Sequence, residues 1–359
     1  QFDAVLNAIY NKRQLIQSPT SSGKSLILYL FAKFFSEHGK KVLLMTDSSN
    51  LVDQLYTDWM KYSFKNDFDI DKVQRVYALA TKTITKPIVI STWQSQHSTK
   101  KKNDVSHFNE NFDIVLVDEC HKGEAASIMN IMEQCTDIQY KIGLTGSLKK
   151  AKLNRLTLEG LFGTVFTATT LRELIDRGEI ADISIHMIMI DYGADIAKIL
   201  KKIKYQKQRE WLLGVPERMK FVVNLAASRE GNTLVLFKSI DYGKALLALT
   251  KELYPDINVY YIDGDVSGER RNEIREILEK ETKSITFGSG GTVATGWSVK
   301  NLHTLITSES VKSLVRILQS IGRALRKSKT KSKCTYFDVC DVPVSTGAKN
   351  YFRKHAEER

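Results

Sequence analysis

A short segment rich in hydroxyl and glycine residues carries the clearest chemistry in this chain. Ser18 to Ser25 reads Ser-Pro-Thr-Ser-Ser-Gly-Lys-Ser and lies between a strand-like run at 13–17 and an apolar, helix-like run at 26–35. Such a loop directs backbone N–H groups and a helix N-terminus at a phosphate chain, while the lysine contacts phosphate and the serine hydroxyl ligates Mg²⁺. Ser18 departs from the glycine that opens the G-x-x-x-x-G-K-[ST] pattern, and a Ser/Gly turn capping a helix is the alternative. The nucleotide-binding candidates are Thr20, Ser21, Ser22, Gly23, Lys24 and Ser25.

An acidic pair supplies the second part of the chemistry. Asp118 and Glu119 follow the segment 113–117, whose last four residues are apolar, as is typical of a buried strand. Transfer of a phosphoryl group to water needs a divalent ion and a residue that orients or deprotonates the water. We therefore expect Asp118 to share Mg²⁺ with Ser25 and Glu119 to act as the base. The alternative is an acidic pair that caps a helix.

Two arginines and a glutamine near the C-terminus supply the third part. Gln319, Arg323 and Arg326 are separated by four and three residues, so on a helix they share one face. Arginines placed this way stabilise the charge that develops on a transferred phosphoryl group. We expect these three residues to be catalytic together with Glu119. A solvated basic helix face is the alternative.

The elements that must position these residues alternate between short apolar runs and helical patterns. This alternation recurs in both halves of the chain and indicates an α/β fold with parallel sheets covered on both faces. A polar stretch with Lys201, Lys202 and a Gly-Val-Pro turn at 214–216 separates the halves. The sequence therefore predicts a first domain over 1–190, a connector over 191–214 and a second domain over 215–359.

Composition bounds the class of protein. The chain has 359 residues, 42% hydrophobic and 26% charged, which is enough for two cores, and its formal charge of +12 favours a polyanionic partner. The cysteines, Cys120, Cys135, Cys334 and Cys340, show neither a C-x-x-C pair nor zinc spacing and indicate reduced core thiols. No apolar run approaches 18 residues, so we expect a cytoplasmic protein that makes no membrane contact.

Five of these segments together resemble the superfamily 2 helicases. They correspond in order to motifs I, II, III, V and VI of that family: 19–25, 118–121, 144–147, 294–296 and 319–326. The resemblance spans nearly the whole chain and implies two tandem RecA-like domains that bind ATP and Mg²⁺ between them. Cys120 replaces the commoner alanine of motif II, and we expect it to be a small buried filler.

The resemblance also assigns roles to further residues. Gln1 matches the glutamine that contacts adenine, which adds it to the ATP-binding candidates. The residues that it implies couple ATP to movement are His121, Thr145, Gly146, Ser147 and Gly296. The residues that it implies contact DNA are Thr46, Gln54, Thr92, Gln94, Gly264 and Thr295. Trp93 and Trp297 are core residues or base-stacking residues, and their apolar neighbours favour the core.

The implied activity is ATP-driven translocation on DNA that unwinds or remodels branched DNA, by fork regression and branch migration, in recombination, repair and replication. The expected partner is single-stranded or branched duplex DNA, and the expected state is a monomer. Three alternatives stay open. They are the motor of a restriction or repair machine, an ATPase directed by RNA or RNA-containing hybrids, and a clamp that binds nucleic acid without turnover.

Overall fold

The computed structural model describes residues 1–77, 83–98, 106–122, 126–146, 148, 152–200, 202–294, 299–309, 331 and 333–342. The chain divides into two compact units, Gln1–Leu174 and Ile175–Arg359. Several predicted site residues lie outside the described residues: Ser147, Thr295, Gly296, Gln319, Arg323 and Arg326. Trp297 also lies outside them.

The first unit alternates strands and helices. In chain order its elements are α1 (Phe2–Asn11), β1 (Arg13–Gln17), α2 (Lys24–Glu37), β2 (Val42–Thr46), α3 (Ser49–Ser63), β3 (Val73–Val76), β4 (Ile88–Thr92), α4 (Trp93–Ser98), α5 (Ser106–Asn111), β5 (Ile114–Val117), α6 (Ala126–Gln134), β6 (Tyr140–Thr145), α7 (Lys152–Phe162) and β7 (Val165–Thr167). Helix α8 (Leu171–Asp176) spans the division between the units.

The strands of the first unit form one seven-stranded parallel sheet in the order β3-β4-β2-β5-β6-β1-β7. Alternate residues of its strands enter different core clusters, with Ile16 and Leu44 in one and Leu15 and Met45 in the other. Side chains on both faces of the sheet are therefore buried, which is why these strands read as continuous apolar runs.

The second unit repeats this alternation. Its elements are β8 (Asp182–Asp191), α9 (Gly193–Leu200), α10 (Tyr205–Leu213), α11 (Pro216–Ala227), β9 (Asn232–Phe237), α12 (Ile240–Leu253), β10 (Asn258–Ile262), α13 (Gly268–Lys280), β11 (Ser284–Ser289), α14 (Gly290–Ala294), β12 (Leu302–Thr307) and β13 (Lys333–Val342). The strands form a six-stranded parallel sheet in the order β10-β11-β9-β12-β13-β8. The two parallel sheets confirm the predicted α/β fold.

The division between the units falls earlier than the boundary expected at residue 190. Strand β8 pairs with β13 in parallel, from Asp182 opposite Lys333 to Asp191 opposite Val342. It therefore belongs to the second sheet, although it precedes the polar stretch that the sequence marks as a connector. That stretch contains α9 and α10.

All four cysteines are buried and free, as the sequence predicts. Cys120 has no exposed surface, and its expected role as a buried filler fits its neighbours: a Cβ added to Gly143 would lie 3.0 Å from Cys120 Sγ. Trp93 is also buried, which supports its placement in the core. Among the described residues, no helix is long and apolar enough to cross a membrane.

Gly163 directly follows α7 and adopts a backbone conformation that is strained for residues with a Cβ. Its φ is +94°, and a Cβ placed on it would lie 2.5 Å from the carbonyl oxygen of Arg13. We expect Gly163→Ala to lower the free energy of unfolding by about 2–4 kcal/mol, because left-handed backbone strain adds to a collision with backbone. The matched control is Gly160→Ala within the same helix, where an added Cβ meets no atom within 4 Å.

Urea unfolding measures the free energy of unfolding of both variants and of wild type. Gly160→Ala is expected to be neutral or to stabilise by up to about 1 kcal/mol, since alanine favours the helix. Equal stability of the two variants would contradict the assignment of strain to Gly163.

Candidate nucleotide-binding site

The loop between β1 and α2 closes on itself through hydroxyl groups. Ser22 Oγ donates to the carbonyl oxygen of Pro19 at 2.6 Å and lies 2.5 Å from Ser18 Oγ, which is fully buried. The backbone N–H of Ser18 donates to Thr145 O at 2.9 Å. Ser18, the departure from the phosphate-loop pattern, therefore stabilises the loop through a bond that glycine cannot make.

Gly23 turns the chain into α2. Its φ of +89° lies in the left-handed region, and it offers no side-chain cap to the first turn of the helix. The first-turn backbone therefore depends on the loop or on a ligand rather than on a capping side chain. The combination of an uncapped N-terminus and a lysine at the first helical position suits a phosphate group.

Gln1 lies against this loop. Its Nε2 donates to Ser22 O at 2.8 Å, and a Cβ added to Gly23 would collide with the Gln1 carboxamide. Glycine is therefore favoured at 23 by its φ, whereas the exposed and flexible Gln1 side chain can move away from an added Cβ. The structure brings Gln1 to the nucleotide loop, and its contact with adenine stays a prediction.

Lys24 and Glu119 face each other across the loop. Lys24 Nζ lies 3.5 Å from Glu119 Oε1 and donates to Ser18 O at 3.4 Å, and both side chains are largely buried. Glu119 itself has a φ of +50°, which is unusual for a residue with a Cβ and costs on the order of 1–3 kcal/mol. Strain of this kind is retained where a side chain must point in a required direction.

Strand order explains why these residues meet. Strands β5, β6 and β1 are successive neighbours in the sheet, and their carboxyl ends lead into Asp118, Gly146 and Ser18 respectively. Parallel strands place their carboxyl ends at one edge, where ligands bind in open α/β sheets. The acidic pair, the turn after β6 and the phosphate loop therefore form one site.

His121 joins the acidic pair to the end of β6. Its Nδ1 lies 3.0 Å from Thr145 Oγ1 and 3.1 Å from Glu119 Oε2, and both His121 and Thr145 are buried. Gly146 follows Thr145, and a Cβ added to it would lie 3.1 Å from Lys24 Nζ. The structure thus brings His121, Thr145 and Gly146 into contact with the residues expected to act on phosphate, and their coupling role stays a prediction.

Asp118 is buried at the end of β5. Burial, together with the adjacent charge of Glu119, raises the pKa of the Asp118 carboxyl to about 6, although Lys24 acts in the opposite direction. Its Oδ1 accepts a hydrogen bond from the backbone N–H of Glu119 at 2.9 Å. Two neighbouring carboxylates in a buried site are stabilised by a cation, and carboxylate and hydroxyl oxygens are the ligands that Mg²⁺ prefers. Asp118 and Ser25 therefore fit the expected metal.

The raised pKa of Asp118 predicts a pH-dependent loss of stability. The native state holds this proton more tightly than the unfolded chain, so ionisation destabilises the native state as pH rises from about 4 to 6, with the full effect above that range. We expect Asp118→Asn to raise the free energy of unfolding at pH 7.5 by on the order of 1–3 kcal/mol, with a smaller gain at pH 5.

Urea unfolding without metal or nucleotide, at both pH values, measures this gain. The control is Asp113→Asn. Burial raises the pKa of Asp113, but the hydrogen bond from the Lys41 backbone and the charge of Lys40 lower it overall. That control is therefore expected to lose stability near neutral pH. A gain for Asp118→Asn that does not grow with pH would contradict the prediction.

Ser25 has partners that the sequence did not reveal. Its Oγ donates to Asp58 Oδ2 at 3.4 Å, and its carbonyl oxygen accepts from Trp59 Nε1 at 3.3 Å. Both residues belong to α3. A single acidic residue on an amphipathic helix gives no signal in the sequence, because only the packing of α3 against α2 places it beside Ser25.

The predicted DNA contacts fall into buried and accessible groups. Thr46 is fully buried at the end of β2, and Thr92 is nearly so and donates to Ser95 Oγ at 2.9 Å. Burial of the Thr46 side chain argues against a direct contact between it and nucleic acid. Gln94 and Gly264 are exposed and Gln54 is half-buried, so their predicted contacts are sterically open.

The fold and the site together define a class of protein. A phosphate loop leading into a helix, with an acidic pair on a nearby parallel strand, defines a P-loop nucleotide hydrolase. Residues 2–150 match the family described as "Type III restriction enzyme, res subunit", and residues 217–328 match "Helicase conserved C-terminal domain".

Comparison with an individual relative identifies the family within this class of protein. The chain is 33% identical to the ATP-dependent DNA helicase uvsW of Enterobacteria phage T4, an alignment that covers all of this chain and 73% of that protein. It therefore belongs to the superfamily 2 helicases, ATP-hydrolysing enzymes that act on nucleic acid, and its two sheets are tandem RecA-like domains.

Solved structures support the fold. A fragment of a putative HsdR subunit of a type I restriction enzyme from Vibrio vulnificus YJ016 has a TM-score of 0.67 at 18% identity, covering 94% of this chain and 62% of that one. The Hef helicase domain of Pyrococcus furiosus has a TM-score of 0.61 at 12% identity, covering 100% and 98%. At these identities the likeness concerns the fold alone.

Proposed function

We propose that this chain is an ATP-driven motor that moves on DNA and remodels branched DNA by fork regression and branch migration. The observation that carries the proposal is the assembly of Lys24, Asp118 and Glu119 around the loop at one edge of the first sheet. The 33% identity with a phage DNA helicase supports DNA as the substrate.

In the proposed mechanism, Lys24 moves from Glu119 to the β- and γ-phosphates when ATP binds. The ion pair between them at 3.5 Å keeps both side chains at the site in the absence of nucleotide. Release of Lys24 leaves Glu119 able to orient the attacking water and accept its proton. Ser25 and Asp118 would hold Mg²⁺, which supplies positive charge to the phosphate oxygens when bound.

His121 and Thr145 are proposed to sense the state of the site. His121 lies within 3.1 Å of Glu119 Oε2 and within 3.0 Å of Thr145 Oγ1, so a displacement of Glu119 changes the contacts of the turn after β6. Gln319, Arg323 and Arg326 are proposed to complete the site by orienting water and stabilising the charge on the transferred phosphoryl group.

The DNA grip is proposed to depend on phosphate contacts. The net charge of +12 and the exposed positions Gln94 and Gly264 suit contacts with the phosphate backbone that have little preference for sequence. Binding of this kind weakens steeply with salt, because counterions are released from the nucleic acid.

Steady-state ATPase measurements test the proposal. Turnover is measured with no polymer, single-stranded DNA, duplex DNA, a model fork of the same strands and single-stranded RNA, each at two salt concentrations. We expect strong stimulation by DNA, greatest with the fork and reduced by salt. Preferential stimulation by RNA would identify an RNA-directed ATPase, and absence of turnover with every polymer, together with retained binding to DNA, would favour a clamp.

A second candidate is a duplex translocase of the restriction type. The match of residues 2–150 to the restriction res subunit family favours it. A duplex translocase should be stimulated by linear duplex as strongly as by the fork and should displace a third strand from a triplex. Fork-specific stimulation without triplex displacement would exclude it.

A further inference from the structure

We propose that Asp58 is a positioning residue that orients the metal-binding hydroxyl of Ser25. The inference rests on the proposed ATP and Mg²⁺ site. Asp58 Oδ2 accepts the Ser25 hydroxyl hydrogen at 3.4 Å, and the next residue, Trp59, donates from Nε1 to the Ser25 carbonyl oxygen at 3.3 Å. Successive residues of α3 thus contact both the hydroxyl and the carbonyl group of Ser25.

Trp59 fixes the position of Asp58. Its side chain is fully buried and meets the ring of Tyr29 edge-on, with centroids 5.9 Å apart. Tyr29 lies on α2, one turn after Ser25, so α2 and α3 are packed together at this level. The Asp58 carboxylate is therefore held close to the start of α2 by the packing of its neighbour.

The direction of the hydroxyl hydrogen matters for metal binding. A serine hydroxyl has one hydrogen and two lone pairs, and a metal ion is bound through a lone pair. Donation of the hydrogen to Asp58 leaves the lone pairs for the metal. A bound cation makes the O–H group a stronger donor, so the bond to a carboxylate strengthens when the metal arrives.

The test measures binding rather than turnover. Asp58→Ala and Asp58→Asn are titrated with a fluorescent non-hydrolysable ATP analogue over a range of Mg²⁺ concentrations and also in EDTA. We expect Asp58→Ala to raise the Mg²⁺ concentration for half-maximal binding by about 10-fold, with a smaller increase for Asp58→Asn, whose amide oxygen still accepts. Affinity for the analogue in EDTA should stay within about twofold of wild type, because Asp58 acts on the metal-binding hydroxyl.

Asp53→Asn is the matched control. Asp53 lies on the same helix and pairs with Arg75 at 2.5 Å and with the Tyr77 hydroxyl at 3.2 Å. We expect this variant to bind Mg²⁺ and the analogue as wild type does. The Asp53→Asn variant shows whether loss of an acidic side chain from α3 changes binding of Mg²⁺ or the analogue in general.

Two results would overturn the proposal: a Mg²⁺ dependence of both Asp58 variants equal to that of Asp53→Asn, or an equal loss of affinity with and without Mg²⁺. Thermal melting checks that each variant folds. If Asp58→Ala is unstable, the test depends on Asp58→Asn, which keeps the side-chain volume. Failure of the proposed ATP site gives a different result: wild type does not bind the analogue at any Mg²⁺ concentration, or Lys24→Ala binds the analogue as well as wild type does.

Discussion

Replacement of Lys24 by alanine is expected to abolish tight ATP binding and to reduce turnover by about 10²–10³-fold or more. Lys24 is the first residue of α2, directly after the left-handed Gly23, and its Nζ is held at the loop by Glu119 and Ser18 O. Alanine removes the charge that is proposed to contact the β- and γ-phosphates. It also leaves Glu119 without its cationic partner in a largely buried position.

The control for this variant is Lys33→Ala on the same helix. Lys33 pairs with Glu37 at the surface, 2.5 Å away, and its loss should change stability by less than about 1 kcal/mol and leave turnover unchanged. Equilibrium binding of a fluorescent ATP analogue and steady-state ATPase with DNA are the measurements. Normal turnover by Lys24→Ala would contradict the assignment of the nucleotide-binding site to this loop.

Replacement of Glu119 by glutamine is expected to reduce the maximal rate of ATP hydrolysis by about 10²–10⁴-fold while ATP binding is retained. Glutamine keeps the size of the side chain and its contact distance to Lys24 and His121, but it cannot accept a proton at neutral pH. The loss should therefore appear in the maximal rate rather than in the affinity for ATP. Single-turnover hydrolysis and equilibrium binding separate the two.

The control for this variant is Glu37→Gln, an exposed acid at the end of α2 that has no contact with the loop residues Lys24 and Ser25 in the described structure. It should hydrolyse ATP at the wild-type rate. A Glu119→Gln variant that hydrolyses ATP at the wild-type rate would contradict the role of Glu119 as base, whereas absence of hydrolysis by both proteins would favour a clamp without turnover.

The strand that precedes Asp118 illustrates how much of this site could be predicted. An apolar run followed by acids indicated the end of a buried parallel strand, and β5 ends one residue before Asp118. Local pattern is sufficient here because a strand buried on both faces must be apolar throughout.

Strand β8 and Thr46 illustrate the opposite case. The sequence places residues 182–190 before a polar stretch, and only pairing with β13 assigns them to the second sheet. Thr46 matches a DNA-contacting position in sequence, yet it is fully buried. Pairing partners and side-chain burial depend on residues far away in the chain, which a local pattern does not contain.

The sequence by itself determined the phosphate loop, the acidic pair and the α/β alternation, because each depends on residue types within a few positions of one another. Only the tertiary structure placed His121 between Glu119 and Thr145, and Asp58 beside Ser25. The order β5-β6-β1 and the packing of α3 on α2 bring these distant segments together. Such contacts are fixed by long-range packing, so spacing along the chain does not encode them.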